Sequence, residues 1–105
     1  MVIGFIEEQK TPIEETNQNK ETALILASKK GHSEIVQYLL EKKANNEAID
    51  NNGFTPLHLA ARNGHHETVN LLLQKSANVD AKNNDGKTPL HLAARNGNHK
   101  IVNLL

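Results

Sequence analysis

A chain of 105 residues has room for one small domain, and its hydrophobic content is supplied by Leu, Ala, Ile and Val, with only Phe5, Tyr38 and Phe54 aromatic. Such residues fill thin layers of stacked helices more readily than a conventional globular core. Twelve basic and twelve acidic residues cancel, which removes the attraction that dominates nucleic-acid binding and the basic patch that anionic membranes recruit. No apolar run approaches the roughly 20 residues that cross a bilayer. With no Cys there is no disulfide or thiolate chemistry, and an intracellular, cytoplasmic setting is expected.

In chain order, Val2-Ile3-Gly4-Phe5-Ile6 matches the apolar pattern of Ile35-Val36-Gln37-Tyr38-Leu39, 33 residues later, at four of five positions. Residues 1–19 are therefore expected to close a preceding unit with a second helix and a finger. Glu7, Glu8, Glu14 and Glu15 read as a solvated surface around that finger rather than a docking motif. The next unit, 20–52, carries Thr22-Ala23-Leu24-Ile25-Leu26-Ala27-Ser28 and then Gly31-His32-Ser33-Glu34-Ile35-Val36.

The third stretch, 53–85, opens with Gly53-Phe54-Thr55-Pro56-Leu57-His58-Leu59-Ala60-Ala61-Arg62-Asn63-Gly64, which recurs from Gly86 to Gly97. Aligning 53–72 with 86–105 gives 16 identities in 20 positions at an offset of 33. Thr55 places a capping hydroxyl ahead of Pro56, whose missing N–H costs nothing in a first helical turn. Leu57, Leu59, Ala60 and Ala61 supply an apolar face, and Gly64 ends the helix. A second helix is predicted over 67–74, with Val69, Leu72 and Leu73 on one side and Asn70 outward. Asp50-Asn51-Asn52-Gly53 and Asn83-Asn84-Asp85-Gly86 spell β-turns, with Asp or Asn first and Gly fourth. Residues 86–105 form an incomplete third unit. No helix pair can bury its own apolar side, so stability must come from neighbouring pairs. The expected architecture is an elongated all-α solenoid of stacked helix-turn-helix units joined by turn or hairpin fingers.

Thr-Pro-Leu-His-Leu-Ala-Ala at 55–61 and 88–94, on a 33-residue period with Gly-His after the first helix, resembles the ankyrin repeat. The resemblance covers essentially the whole chain. It implies antiparallel helix pairs with β-hairpin fingers, and a role in binding proteins through the fingertips and the concave face of the first helices. It also implies that His58 and His91 bond to backbone and to the preceding Thr hydroxyl. The unit 20–52 departs from the pattern, with Lys20, Ala23 and Ile25 in place of Gly, Pro and His, and is expected to be the least regular. Lys43 and Ser76 replace the usual glycine after the second helix; held left-handed, each costs roughly 1 kcal/mol relative to Gly. Neither end supplies a polar capping repeat, so the chain reads as a piece of a longer protein, with end-to-end self-association expected through open end faces.

Six histidines raise the question of a metal site. His32 and His65, like His66 and His99, stand one repeat apart, and layers about 10 Å apart are too distant for two rings to share one zinc at about 2 Å per bond. No nucleophile, base and orienting acid share a pocket-forming pattern. No cofactor, no metal and no enzymatic activity are expected.

Residues the repeat does not require are the candidate binding surface. Lys29, Arg62 and Arg95 share one register and are expected to form a cation ladder along the concave face, flanked by Lys30, Asn63 and Asn96. The finger positions add Gln18, Asn19 and Glu21, then Ile49, Asn51, Asn52 and Phe54, then Lys82, Asn84, Asp85 and Lys87. Phe54 is singled out, because its counterparts are Glu21 and Lys87 and the fold requires no aromatic there. An exposed Phe beside Ile49 and Arg62 would be an interface anchor, and its alternative is to cover Arg62. The expected partner is another protein, most plausibly through an acidic segment, with no nucleic acid and no membrane insertion. The alternative is an architectural spacer or a regulatory segment of a larger multidomain protein.

Overall fold

The structure, a computed structural model, describes residues 12–105. The expected helix over the first residues, with Glu7 and Glu8, lies outside them. Six helices follow: α1 (Ala23–Lys30), α2 (Ser33–Glu41), α3 (Pro56–Arg62), α4 (His66–Gln74), α5 (Pro89–Arg95) and α6 (His99–Leu104). No strand occurs among the described residues, so the fingers are turns rather than hairpins with strands.

Helices of seven or eight residues are marginal alone, because nucleation uses up most of what so few hydrogen bonds return. Here caps compensate. Thr22, Thr55 and Thr88 each sit extended before the first helical residue and accept from the N–H three positions on, Ile25, His58 and His91. Each such cap contributes about 1 kcal/mol. At Thr55 and Thr88 the histidine ring returns the bond by accepting from the threonine N–H. Ile25 has no ring nitrogen to return, which is the local sense in which the first of these helices is the least regular. α4 begins one residue ahead of its predicted start, at His66.

The first helices α1, α3 and α5 pack side by side in one layer, and the second helices α2, α4 and α6 form the other. Leu24, Leu57, Val36, Val69, Leu72 and Ile101 are fully or almost fully buried between them. A buried Leu contributes about 2 kcal/mol relative to its exposed state. Ala60, Ala61 and Ala93 are completely buried, and their small side chains let successive first helices approach. Ser28 stands at the register of Ala61, and its hydroxyl is buried without a partner, as is that of Thr68. The stack measures 53 × 24 × 20 Å, with a radius of gyration of 14.5 Å, larger than the roughly 13 Å of a compact domain of about 100 residues.

The fingers are built from side-chain-supported turns. Asp50 accepts from the N–H groups of Asn52 and Phe54 at 2.9 and 3.0 Å. Asn83 does the same for Asp85 and Lys87, and Asn17 for Asn19 and Glu21. A side-chain oxygen that mimics a backbone acceptor is the reason Asp and Asn lead these turns. Three non-glycine residues hold left-handed backbone: Lys20 at φ 61°, Lys43 at 67° and Ser76 at 64°. The strain expected at Lys43 and Ser76 is thus present, and Lys20 adds a third such site at about 1 kcal/mol each.

Candidate functional site

The first helices and the fingers meet in a cleft of about 430 Å3, whose walls come from two successive units. Asn19, Glu21 and Lys29 form one side; Asp50, Asn51, Asn52, Phe54 and Arg62 form the other, with Leu59 at the base. Of the residues expected to bind, the cleft gathers Lys29, Asn51, Asn52, Phe54 and Arg62. Lys30, Ile49, Asn63, Lys82, Asn84, Asp85, Lys87, Arg95 and Asn96 do not line it, although all nine are exposed. Asp50 and Leu59 complete the cleft without having been singled out. Asp50 is legible as a turn residue only, and Leu59 as core.

Two features of the cation ladder differ from a row of free charges. Lys29 Nζ lies 3.0 Å from Glu21 Oε2, the one ion pair among the described residues. Glu21 is 7% exposed and also accepts from Asn17 Nδ2 at 3.0 Å. The Asn17 bond, followed by the Lys29 ammonium, holds its carboxyl below the ordinary carboxylate range. Arg62 stacks its guanidinium 5.1 Å from the Phe54 ring centroid. Phe54 is half-buried rather than fully exposed, because it also meets the His58 ring edge-on at 5.7 Å. The aromatic therefore covers Arg62 while keeping part of its surface in the cleft.

His58 ties the cleft to the unit behind it. Nδ1 faces two Thr55 groups, the N–H at 3.0 Å and Oγ1 at 2.9 Å. Nε2 faces the Lys87 carbonyl at 2.8 Å. That pattern requires the neutral tautomer with the proton on Nε2, which donates to Lys87. Burial of the ring lowers its pKa from the ordinary histidine value, against the opposing effect of the Lys87 carbonyl.

Several expected binding residues are engaged in holding the stack together. Asn63 Nδ2 donates to the Lys29 carbonyl at 2.9 Å, and Asn96 Nδ2 to the Arg62 carbonyl at 2.7 Å. Both close the C-terminal end of the preceding first helix, where carbonyls lack intrahelical partners. Asn51 and Asn84 bridge neighbouring fingers, each through its backbone N–H and its Nδ2. His65 Nε2 also bonds to the Lys29 carbonyl at 3.1 Å, and Asn98 takes the same role one unit on. Glu14, set aside as solvated surface, accepts from the Asn45 N–H at 2.7 Å; Glu47 repeats the bond with Asn78. Among the described residues no three His, Cys, Asp or Glu side chains gather into a metal-ligand set. No helix among them is long and apolar enough to cross a membrane.

Two helical layers, a one-directional stack and fingers bridged edge to edge define a helical-repeat solenoid. The family model for ankyrin repeats (3 copies) matches residues 2–83 and 50–105, and the chain belongs to the ankyrin-repeat family. Ankyrin repeats are generally protein-protein interaction modules and are typically non-catalytic. No curated protein matches the chain.

Proposed function

We propose that this chain is a non-catalytic interaction module that holds a segment of another protein along its concave face and fingertips, through repeat units spanning 20–52, 53–85 and 86–105 that follow the end of a preceding unit in 1–19. The observation that carries the reading is the cleft itself. Phe54 and Arg62 are presented together at its wall, and the finger turns that position them are tied to one another and to the helices. An aromatic paired with an arginine on a rigid frame is the composition enriched at interface hot spots. Cations outnumber acids on this face, with Arg62, Lys82, Lys87 and Arg95 against Asp50 and Asp85 beyond the Glu21–Lys29 pair, which favours an acidic segment as the bound element.

The test is a paired capture of partners with identification by mass spectrometry. One bait is the native chain; the other carries Phe54→Ala, Arg62→Glu and Arg95→Glu, with helical content matched by circular dichroism. A protein held by the first bait and lost from the second supports the concave site. Equal capture by both moves the site elsewhere, and capture by neither supports an architectural spacer. Leu90 and Leu104, at the α5–α6 end of the described stack, are exposed apolar residues on which end-to-end self-association would draw. A sedimentation coefficient that rises with concentration is the expected result; a constant one excludes such association.

A further inference from the structure

Three register-equivalent pairs run along the concave face, each joining a finger residue to the cation near the end of the following first helix. In the first, Glu21 neutralises Lys29 at 3.0 Å. In the second, the Phe54 ring lies 5.1 Å from the Arg62 guanidinium. A ring quadrupole attracts and orients a cation but leaves its charge in place. In the third, both members are cations: Lys87 and Arg95 are exposed, and neither pairs with any carboxylate among the described residues. Asp85, the acid of the same finger, pairs with neither of them. The register pairs are therefore graded, from a neutral pair at α1 to two cations at α5, with Asp85 on the adjoining fingertip.

We infer that the bound segment has a fixed register, with acidic residues against Arg62 and the Lys87/Arg95 pair and an uncharged stretch against Glu21 and Lys29. The inference rests on the concave-face reading above and adds where the partner's charge falls. Arg62 is prepared for this role. Its Nε donates to Asn63 Oδ1 at 3.3 Å and its guanidinium carbon lies over the Phe54 ring at 5.1 Å, while its two terminal NH2 groups have no acceptor among the described residues. Such a fork binds a carboxylate bidentately with little further loss of side-chain freedom. At Lys87 and Arg95, both exposed, an anion meets two cations that no carboxylate pairs with among the described residues.

Spacing sets the pattern. Stacked helices stand roughly 10 Å apart, and an extended polyproline-II segment places every third residue on one side at intervals of roughly 9 Å. Acidic residues three apart thus meet Arg62 and Arg95 in turn.

The experiment titrates the isotope-labelled chain with a short blocked Gly/Ser peptide carrying two glutamates three residues apart, followed by nuclear magnetic resonance at low ionic strength. Its controls are the same peptide with glutamines and a single-stranded oligonucleotide of equal charge. The expected shifts centre on Arg62, Lys87 and Arg95 and are absent with the glutamine peptide. Lys87→Gln with Arg95→Gln weakens binding about tenfold, whereas Glu21→Gln with Lys29→Gln changes it less than about twofold. Equal losses from the two double variants would overturn the register but leave the concave site standing. Shifts centred on Lys42, Lys75 and Lys100, away from this face, would overturn both. No shift at all, or equal binding of the oligonucleotide, would overturn the choice of an acidic peptide.

Discussion

Replacing His58 with alanine lowers the unfolding free energy by about 3 kcal/mol, the largest effect expected from a single polar side chain here. The substitution leaves the Thr55 N–H without its ring acceptor and the Lys87 carbonyl without its Nε2 donor. It also opens a cavity where the ring was completely buried, which adds to the cost. The lost Lys87 bond crosses between units, so coupling between neighbours falls along with the local helix start. Urea unfolding followed by circular dichroism checks this, with His91→Ala as the internal comparison. His91 makes the same Thr88 bonds but is exposed, and its loss should cost under about 1 kcal/mol. Equal losses at the two positions would show that the cross-unit bond and the burial contribute nothing.

The same ring sets a pH dependence. Because burial lowers the His58 pKa in the folded state, the unfolded chain takes up this proton first as pH falls. Its contribution is complete above the unfolded value near 6.5 and is lost as pH falls from there through the folded pKa. A second decline follows at lower pH. Glu21 has a folded pKa below its ordinary 4.5, so its contribution is present above that value and lost as pH falls through the folded pKa. His58→Ala removes the first decline and leaves the second.

Alanine at Gly53 costs about 2 kcal/mol, against about 1 kcal/mol at Gly86. Both glycines hold left-handed backbone, at φ 80° and 76°, so both substitutions bear the same local strain. The difference lies in what a Cβ would meet. At Gly53 it would stand 2.9 Å from the Asn84 backbone nitrogen and 2.5 Å from Asn84 Oδ1, while at Gly86 nothing lies within 4 Å. The Asn84 N–H is the donor that joins its finger to the Asn52 carbonyl at 3.0 Å, so making room at Gly53 separates the two fingers. Lys20, at the same register one unit earlier, holds φ at 61° in a turn with the same hydrogen bonds, so the backbone strain alone is tolerated there and the larger cost at Gly53 rests on the approach of Asn84. Chemical denaturation of the two variants measures the difference, and equal destabilisation would mean that the fingers part without cost.

Much of the fold was legible because its determinants are local and repeated. Thr55 before Pro56, the apolar run after it and Asp50 leading its turn each act within a few residues, and the 33-residue period supplies each signal more than once. The site was less legible. Lys29, Arg62 and Arg95 are equivalent in a linear reading, and Phe54 stands out only as an aromatic where the repeat needs none. Asn51, Asn63, Asn84 and Asn96 read as surface positions free to meet a partner, yet their side-chain amides bridge to carbonyls about one repeat away.

The sequence by itself determined the class of architecture: two helices and a turn, repeated and obliged to stack because no pair buries its own apolar side. Only the tertiary structure decided how the concave face is charged. Whether a cation in the ladder is neutralised, oriented or left free depends on the residue that the finger brings beside it. Glu21 reaches Lys29 and Phe54 lies against Arg62, while Lys87 and Arg95 hold the equivalent registers without a carboxylate partner among the described residues. The two members of each pair are eight positions apart in sequence, outside the reach of neighbours on a single helix. The first two pairs meet because the turn folds the finger back over the first helix, and that juxtaposition is a property of the assembled stack.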